Sequence, residues 1–372
     1  MRSRKTILVW AIIIVFTGNL VAQLNGAFEF IGEYDGNAYN DSYGDGDTMV
    51  GTAYLDLNGD IDLKLAGMLL GADYSGSYSA YLSFLGINQN NHLGKLLLWR
   101  KLGRDGYFGL GTTYSLQINA GDRSSYDINN LKLISEIKAY LAQPILLKLD
   151  GALGEFNYVN LPNYDFSQLF LNGSISLFLP SRTSLALSAR LKQYDFAPQA
   201  IDSQVPRSIA NVSSGIMVSQ SIANNAGISF EYSYLRNRVN TTISDYMPDT
   251  LLHEVNEYFD YTGGRLGAKL TVKMKKGAKI NLSTDYTKLK FSSLQAYSLP
   301  IINASILDRQ SLAELRQDEK TVLGLDYTAP ISELEKNKAN IKLGVLYTMN
   351  ASNDELYDFK KTIMYAGINF NF

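Results

Sequence analysis

The sequence has no cysteine, two histidines, two tryptophans and eight prolines in 372 residues. Without cysteine there is no disulfide, thiolate nucleophile, Cys-ligated zinc, iron–sulfur cluster or lipid-modified N-terminal cysteine. Two histidines leave little for a metal site, and no cofactor is expected. Charge of one sign is also missing. With 34 Lys and Arg against 36 Asp and Glu, the chain offers a nucleic acid no electrostatic footprint. Long apolar runs are scarce. Ser208–Phe230 has no charge, but it is loaded with Ser, Asn and Gly. What is present is 46% apolar residues, 30 glycines and 25 tyrosines, a balance that excludes a disordered chain.

The N-terminus reads as an export signal. Arg2, Arg4 and Lys5 precede the apolar run Ile7–Phe16, and Thr17-Gly18-Asn19 breaks it. Cleavage is expected after Ala22, so residues 1–22 form the signal peptide and residues 23–372 a single domain. The run is shorter than the roughly 20 residues of a bilayer-spanning helix, the alternative reading. Removing it takes three bases and no acid, leaving 31 against 36 and a formal charge of −5.

Beyond residue 22 the repeating signal is a period of two. Leu266, Ala268, Leu270, Val272 and Met274 alternate with Arg265, Gly267, Lys269, Thr271 and Lys273. Ile341, Leu343, Val345, Tyr347 and Met349 alternate with Asn340, Lys342, Gly344, Leu346 and Thr348. Such segments are strands with one apolar and one wet face. They are longer than the common strand of about 5–6 residues and match the roughly 9–11 residues of a tilted membrane-crossing strand. In lipid a sheet must close on itself, because no backbone group can stay unpaired. The expected fold is therefore all-β, an up-and-down antiparallel transmembrane barrel of about sixteen strands, with fourteen or eighteen as alternatives. The strands fall near 26–34, 48–57, 61–73, 77–87, 106–118, 129–141, 145–156, 167–179, 183–195, 207–219, 225–239, 257–273, 278–291, 317–330, 338–349 and 360–372. Asn58-Gly59 has the composition of a tight hairpin turn. His92–Arg104 is either a strand or an excursion at the short-turn end. Short links such as Ala142–Gln143 and Lys275–Gly277 alternate with longer polar ones such as Asn240–Asn256 and Ser292–Arg316, the asymmetry of an outer-membrane barrel.

The final segment, Thr362 to Phe372, alternates and ends on an aromatic residue. Phe372, Phe370, Ile368 and Met364 resemble the C-terminal strand of Gram-negative outer-membrane β-barrels. That resemblance implies a bacterial outer-membrane location, lipid around the barrel, and recognition by the barrel-assembly machinery through Phe372, Phe370 and Ile368. A homo-oligomer is a further expectation. No motif of maltoporin-like, phospholipase-like or energy-coupled receptor barrels is present.

The resemblance implies a porin-like channel for passive diffusion of small polar solutes, not an enzyme. Residues opposite the apolar faces are the candidate pore lining: Arg190, Lys192, Arg265, Lys269, Lys273, Lys279 and Lys342, with Glu136, Asp150, Asp285 and Asp326. Further candidates on that face are Lys64, Lys132, Lys138, Lys148, Lys361, Asp56, Asp62 and Glu231. The cluster Arg265, Lys269, Lys273 and Lys279 predicts a mild anion preference. The same charges could instead only pair across the lumen. The 25-residue segment Ser292–Arg316 could constrict the pore, and Ser311–Glu314 has capping-box spacing for a helix within it.

Three other readings stand beside the channel. A receptor or sheath barrel could anchor a partner protein, and a hydrophobic-substrate transporter would need an apolar lumen path. A barrel hydrolase would need His92 or His253 with an orienting carboxylate. The acidic Gly-rich stretch Asp35–Asp47 lacks the closing glutamate of a calcium loop and reads as solvated. Tyr34, Tyr107, Tyr158, Tyr234, Tyr258, Tyr286, Tyr327 and Phe359 read as an interfacial aromatic girdle.

Overall fold

The computed structural model describes residues 23–37, 47–63, 67–82, 88–103, 105–196, 208–240, 259–298, 301–303, 306–307, 310–333 and 338–372. The strands are β1 Gln23–Asp35, β2 Thr48–Asp62, β3 Met68–Tyr81, β4 Gln89–Leu102, β5 Gly106–Asn119, β6 Ile128–Ala142, β7 Ile145–Tyr158, β8 Phe166–Phe178, β9 Thr183–Phe196, β10 Ser208–Ala223, β11 Ala226–Val239, β12 Tyr261–Lys273, β13 Lys279–Ser298, β14 Ile301–Asn303, β15 Ile306–Leu307, β16 Gln310–Glu333, β17 Lys338–Ser352 and β18 Phe359–Asn371. Sixteen of them close into one antiparallel barrel, with β1 paired to β18. The other two, β14 and β15, pair only with each other.

Directly paired residues share a face of the sheet. Ladder parity therefore sorts the side chains into two sets. Phe28 and Phe30 share a face with Leu55 on β2, and the same set carries Leu110, Leu131, Leu133, Leu153, Leu187, Phe230, Leu266 and Leu323, all more than a third exposed. This apolar set is the lipid face. The other set carries the Lys, Arg, Asp and Glu that the alternation places inside. Among the described residues this face meets no second layer of protein, the arrangement expected of a sheet closed inside lipid.

The closing seam is tight. Gly26 N donates to the Phe372 carbonyl at 3.0 Å, and Phe372 N donates to the Gly26 carbonyl at 2.9 Å. The Phe372 ring occupies the space that a Cβ on Gly26 would fill. Phe370 and Ile368 continue the lipid face, opposite Phe28 and Phe30.

Several sequence expectations are corrected. Asn58 and Gly59 lie inside β2, paired with Asn25 and Leu24 on one side and with Asp73 and Ala72 on the other. The hairpin turn instead includes Gly67, whose φ of 67° is left-handed. The expected strands 61–73 and 77–87 are replaced by β3 and β4, so His92–Arg104 is mostly strand. Its Leu96-Leu97-Leu98 run hides the alternation for a packing reason. Leu97 points inward and is 8% exposed because it faces Gly111 and fills the space above Gly109. The expected loop 292–316 is largely strand as well. β13 runs on to Ser298 and β16 starts at Gln310. Ser311–Glu314 is part of β16, not a helix start. Ala313, at φ 57°, sits where the β13–β16 register shifts between Leu315 and Ser311.

Candidate functional site

The inner wall is built by the wet half of each alternating strand. By ladder parity Arg190, Lys192, Arg265, Lys269, Lys273, Lys279 and Lys342 point to the inside, as do Glu136, Asp150, Asp285 and Asp326. Many of them are brought together as pairs. Arg265 holds Asp285 at 2.7 Å on the neighbouring strand. Lys95 meets Glu136 at 2.6 Å, and Tyr107 donates to the other oxygen of Glu136 at 3.2 Å. Lys342 reaches across to Glu29 at 2.6 Å, and Lys361 to Asp35 at 2.7 Å. Asp150 accepts from Asn172 at 3.0 Å, and Asp326 accepts from the Tyr365 hydroxyl. Lys132 lies 4.7 Å above the Phe156 ring. Among the described residues Lys269, Lys273 and Lys279 have no ion-pair partner. The basic cluster therefore keeps three of its four charges.

Alternation in β1 to β3 carries a feature that the candidate set above only touched. Glu29, Glu33 and Asp35 on β1, Asp56, Asp60 and Asp62 on β2, and Asp73 on β3 all point inward. No Lys or Arg occurs on these three strands. Half-way around the ring of sixteen stand β9 to β11, where β9 carries Arg190 and Lys192 and β11 the single acid Glu231, and β12 follows with Arg265, Lys269 and Lys273. The inner wall is thus acidic on one side and basic on the other. The parity that exposes Phe28 and Phe30 was the signal for Glu29 and Glu33.

At the short-turn end of the basic side is a polar recess of about 390 Å³. Ser184, Ser219, Ser229, Lys269, Thr271 and Lys273 are among the residues that line it. Ser184, Ser219, Ser229 and Lys269 stand on one rung across β9 to β12. Hydroxyls and ammonium groups on one concave wall supply donors to a polar solute.

At the long-loop end a group of side chains packs together. Tyr261, Phe291 and Leu294 form a buried cluster with Leu235, Phe259 and Leu289 packed against it. Arg316, 1% exposed, lies 4.7 Å from the Phe291 ring centroid and 3.3 Å from that of Tyr357. Its Nη2 and Nε hold Asp318 at 2.6 and 3.0 Å, and Ser352 donates to Asp318 at 2.7 Å. Sequence reasoning placed Arg316 at the edge of a loop and did not include this cluster. The signal was weak, because its members lie far apart in the chain.

Other candidates are placed differently. His92 points to the lipid face, where its Nδ1 is 2.9 Å from the Tyr74 hydroxyl. His253, Tyr258 and Lys64 lie outside the described residues. Tyr34, Tyr234, Tyr286 and Tyr327 share the lipid face. Tyr107, Tyr158 and Phe359 belong to the inner face and are not part of a girdle, since the ladder sets them beside Lys138, Ile128 and Asn350.

No protein-family model matches the chain, and no curated protein matches it. Among solved structures, a loop-deletion form of OmpT, an outer membrane protein of Vibrio cholerae, superposes with a TM-score of 0.51 at 10% identity, over 95% of this chain and 99% of that one. A bacterial polysaccharide outer membrane secretin gives 0.51 at 10% identity, over 93% and 97%. OprD of Pseudomonas aeruginosa gives 0.48 at 8% identity, over 94% and 95%. At these identities the likeness is one of fold: the chain closes sixteen antiparallel strands into a barrel of the kind these outer-membrane proteins have.

Proposed function

We propose that this barrel is a bacterial outer-membrane channel for passive diffusion of small polar solutes, with a mild preference for anions. The observation that carries the reading is the inner wall, which is charged along its length and divided into an acidic and a basic side. A sixteen-stranded barrel is of the size that leaves an aqueous path. A polar solute crossing such a field orients its dipole, and each ion follows the wall of opposite sign. The anion preference rests on Lys269, Lys273 and Lys279, since Arg265 is already paired with Asp285. Phe372, Phe370 and Ile368 fit the same reading as the strand offered to the assembly machinery.

Conductance of the purified barrel in a planar bilayer tests this. Open-channel steps with a reversal potential on the anion side of zero in a KCl gradient are expected. The K269Q/K273Q/K279Q variant should move that potential toward cations. Clear cation selectivity of the unaltered protein would refute the preference, and absence of any steps would refute the channel. The packed cluster around Phe291 and Arg316 favours a second reading, a receptor barrel whose outer mouth opens on binding a partner. That reading expects conductance to stay low until the cluster is cut away.

A further inference from the structure

The lipid face carries few charges, and they are not spread evenly. On β11 the outward positions run Ala226, Ile228, Phe230, Tyr232 and Tyr234, then Arg236 and Arg238. On β13 they run Ile280, Leu282, Thr284 and Tyr286, then Lys288 and Lys290. Both pairs begin where the apolar stretch and its closing tyrosines end, at the long-loop end of the barrel. The rungs bring them together. Arg236 pairs with Thr262, and Thr262 with Lys290, so the two cations share a rung two strands apart, about 10 Å. Two residues lower, Gly264 separates Tyr234 from Lys288, and the Tyr232 ring lies against it, 3.4 Å from the place of a Cβ there. Lys288 is bound to Glu319 on β16. Among the described residues Arg236, Arg238 and Lys290 have no ion-pair partner.

Cations on the lipid side of a barrel contribute nothing to the lumen, and hydrocarbon is a poor place for them. At the level where an aromatic belt ends they meet headgroups instead. Guanidinium groups hold phosphate oxygens in bidentate fashion, and long basic side chains reach up from the apolar zone. We propose that the outer rim of β11 to β13 is a binding site for the phosphorylated headgroup of an outer-leaflet glycolipid, with Arg236, Arg238 and Lys290 as its phosphate ligands, Lys288 held in reserve by Glu319, and Tyr232 and Tyr234 against the sugar–acyl boundary. The site rests on the outer-membrane placement proposed above, but not on transport.

Native mass spectrometry of the full barrel in detergent tests it, with bisphosphorylated lipid A as the probe. One lipid should bind, less tightly as salt rises. Monophosphorylated lipid A should bind more weakly, and inorganic phosphate should not displace the lipid. R236Q/R238Q/K290Q should weaken binding at least tenfold, while E319Q, by releasing Lys288, should tighten it. K360Q, which removes an outward cation on β18, should leave binding unchanged. Heat-modifiable migration on gels reports that each variant is a closed barrel; if the triple variant is not, R236Q/R238Q and K290Q separately carry the same expectation. Equal binding by variant and parent, equal loss in K360Q, or displacement by inorganic phosphate would each overturn the site. Conductance should be the same in all these variants, so a barrel that binds lipid without conducting refutes the channel alone.

Discussion

Arg316 shows how differently one residue type behaves at two places in this barrel. Its guanidinium is enclosed by Phe291, Tyr357 and the Asp318 carboxylate, and Phe291 and Asp318 are themselves buried. Replacing it with alanine leaves Asp318 buried without its cation, a change that costs about 3–5 kcal/mol. Arg265 also holds an aspartate, but its side chain is 47% exposed, and exposed pairs contribute at most about 1 kcal/mol. Thermal unfolding followed by the loss of heat-modifiable migration should therefore show a large drop in midpoint for R316A and a small one for R265A. Equal drops would mean that the long-loop cluster is not a packed unit. Gly26 is the second telling residue. A valine there meets the Phe372 ring directly, so G26V should lower the yield of closed barrel, and G26A less so.

At the scale of elements, β13 and β16 set themselves apart. They have 20 and 24 residues, against 13 to 16 for the other barrel strands, so their outer ends stand beyond the hydrocarbon. The buried Leu294 and fully enclosed Ala296 belong to that extension. Trimming it, by joining Ser292 directly to Leu315, removes Leu294 and with it one side of the packed cluster. Single-channel conductance should rise, and an unchanged value would show that the narrowest point lies elsewhere. Strand existence was legible here from alternation, but strand limits were not. Ser292–Arg316 reads as a loop because its alternation fails at the register shifts between Lys290 and Gln295 and between Gln295 and Tyr297. Asn58-Gly59 reads as a turn because its local preference is strong; in the 15-residue β2 that preference is overridden by pairing on both flanks.

Over the whole molecule, the period of two carried most of what could be known in advance. It predicted the closed sheet and a count of about sixteen, and it set the charged candidates on the face opposite the apolar residues. Membership of a strand is local information, and so is side-chain parity. The division of the wall into acidic and basic sides is not local, because it depends on which strands face each other across the ring. The clustering of Arg236 with Lys290 escapes for the same reason, as 54 positions separate them along the chain.

The seam has a consequence for how such a chain comes to exist at all. The hydrogen bonds that complete the ring involve Gly26 at one extremity and Phe372 at the other. A ribosome product that stops early keeps an unfinished edge, whatever the quality of its remaining sequence. Without β18 the free flank of β1 has no partner, so loss of the last strand opens the ring at the first.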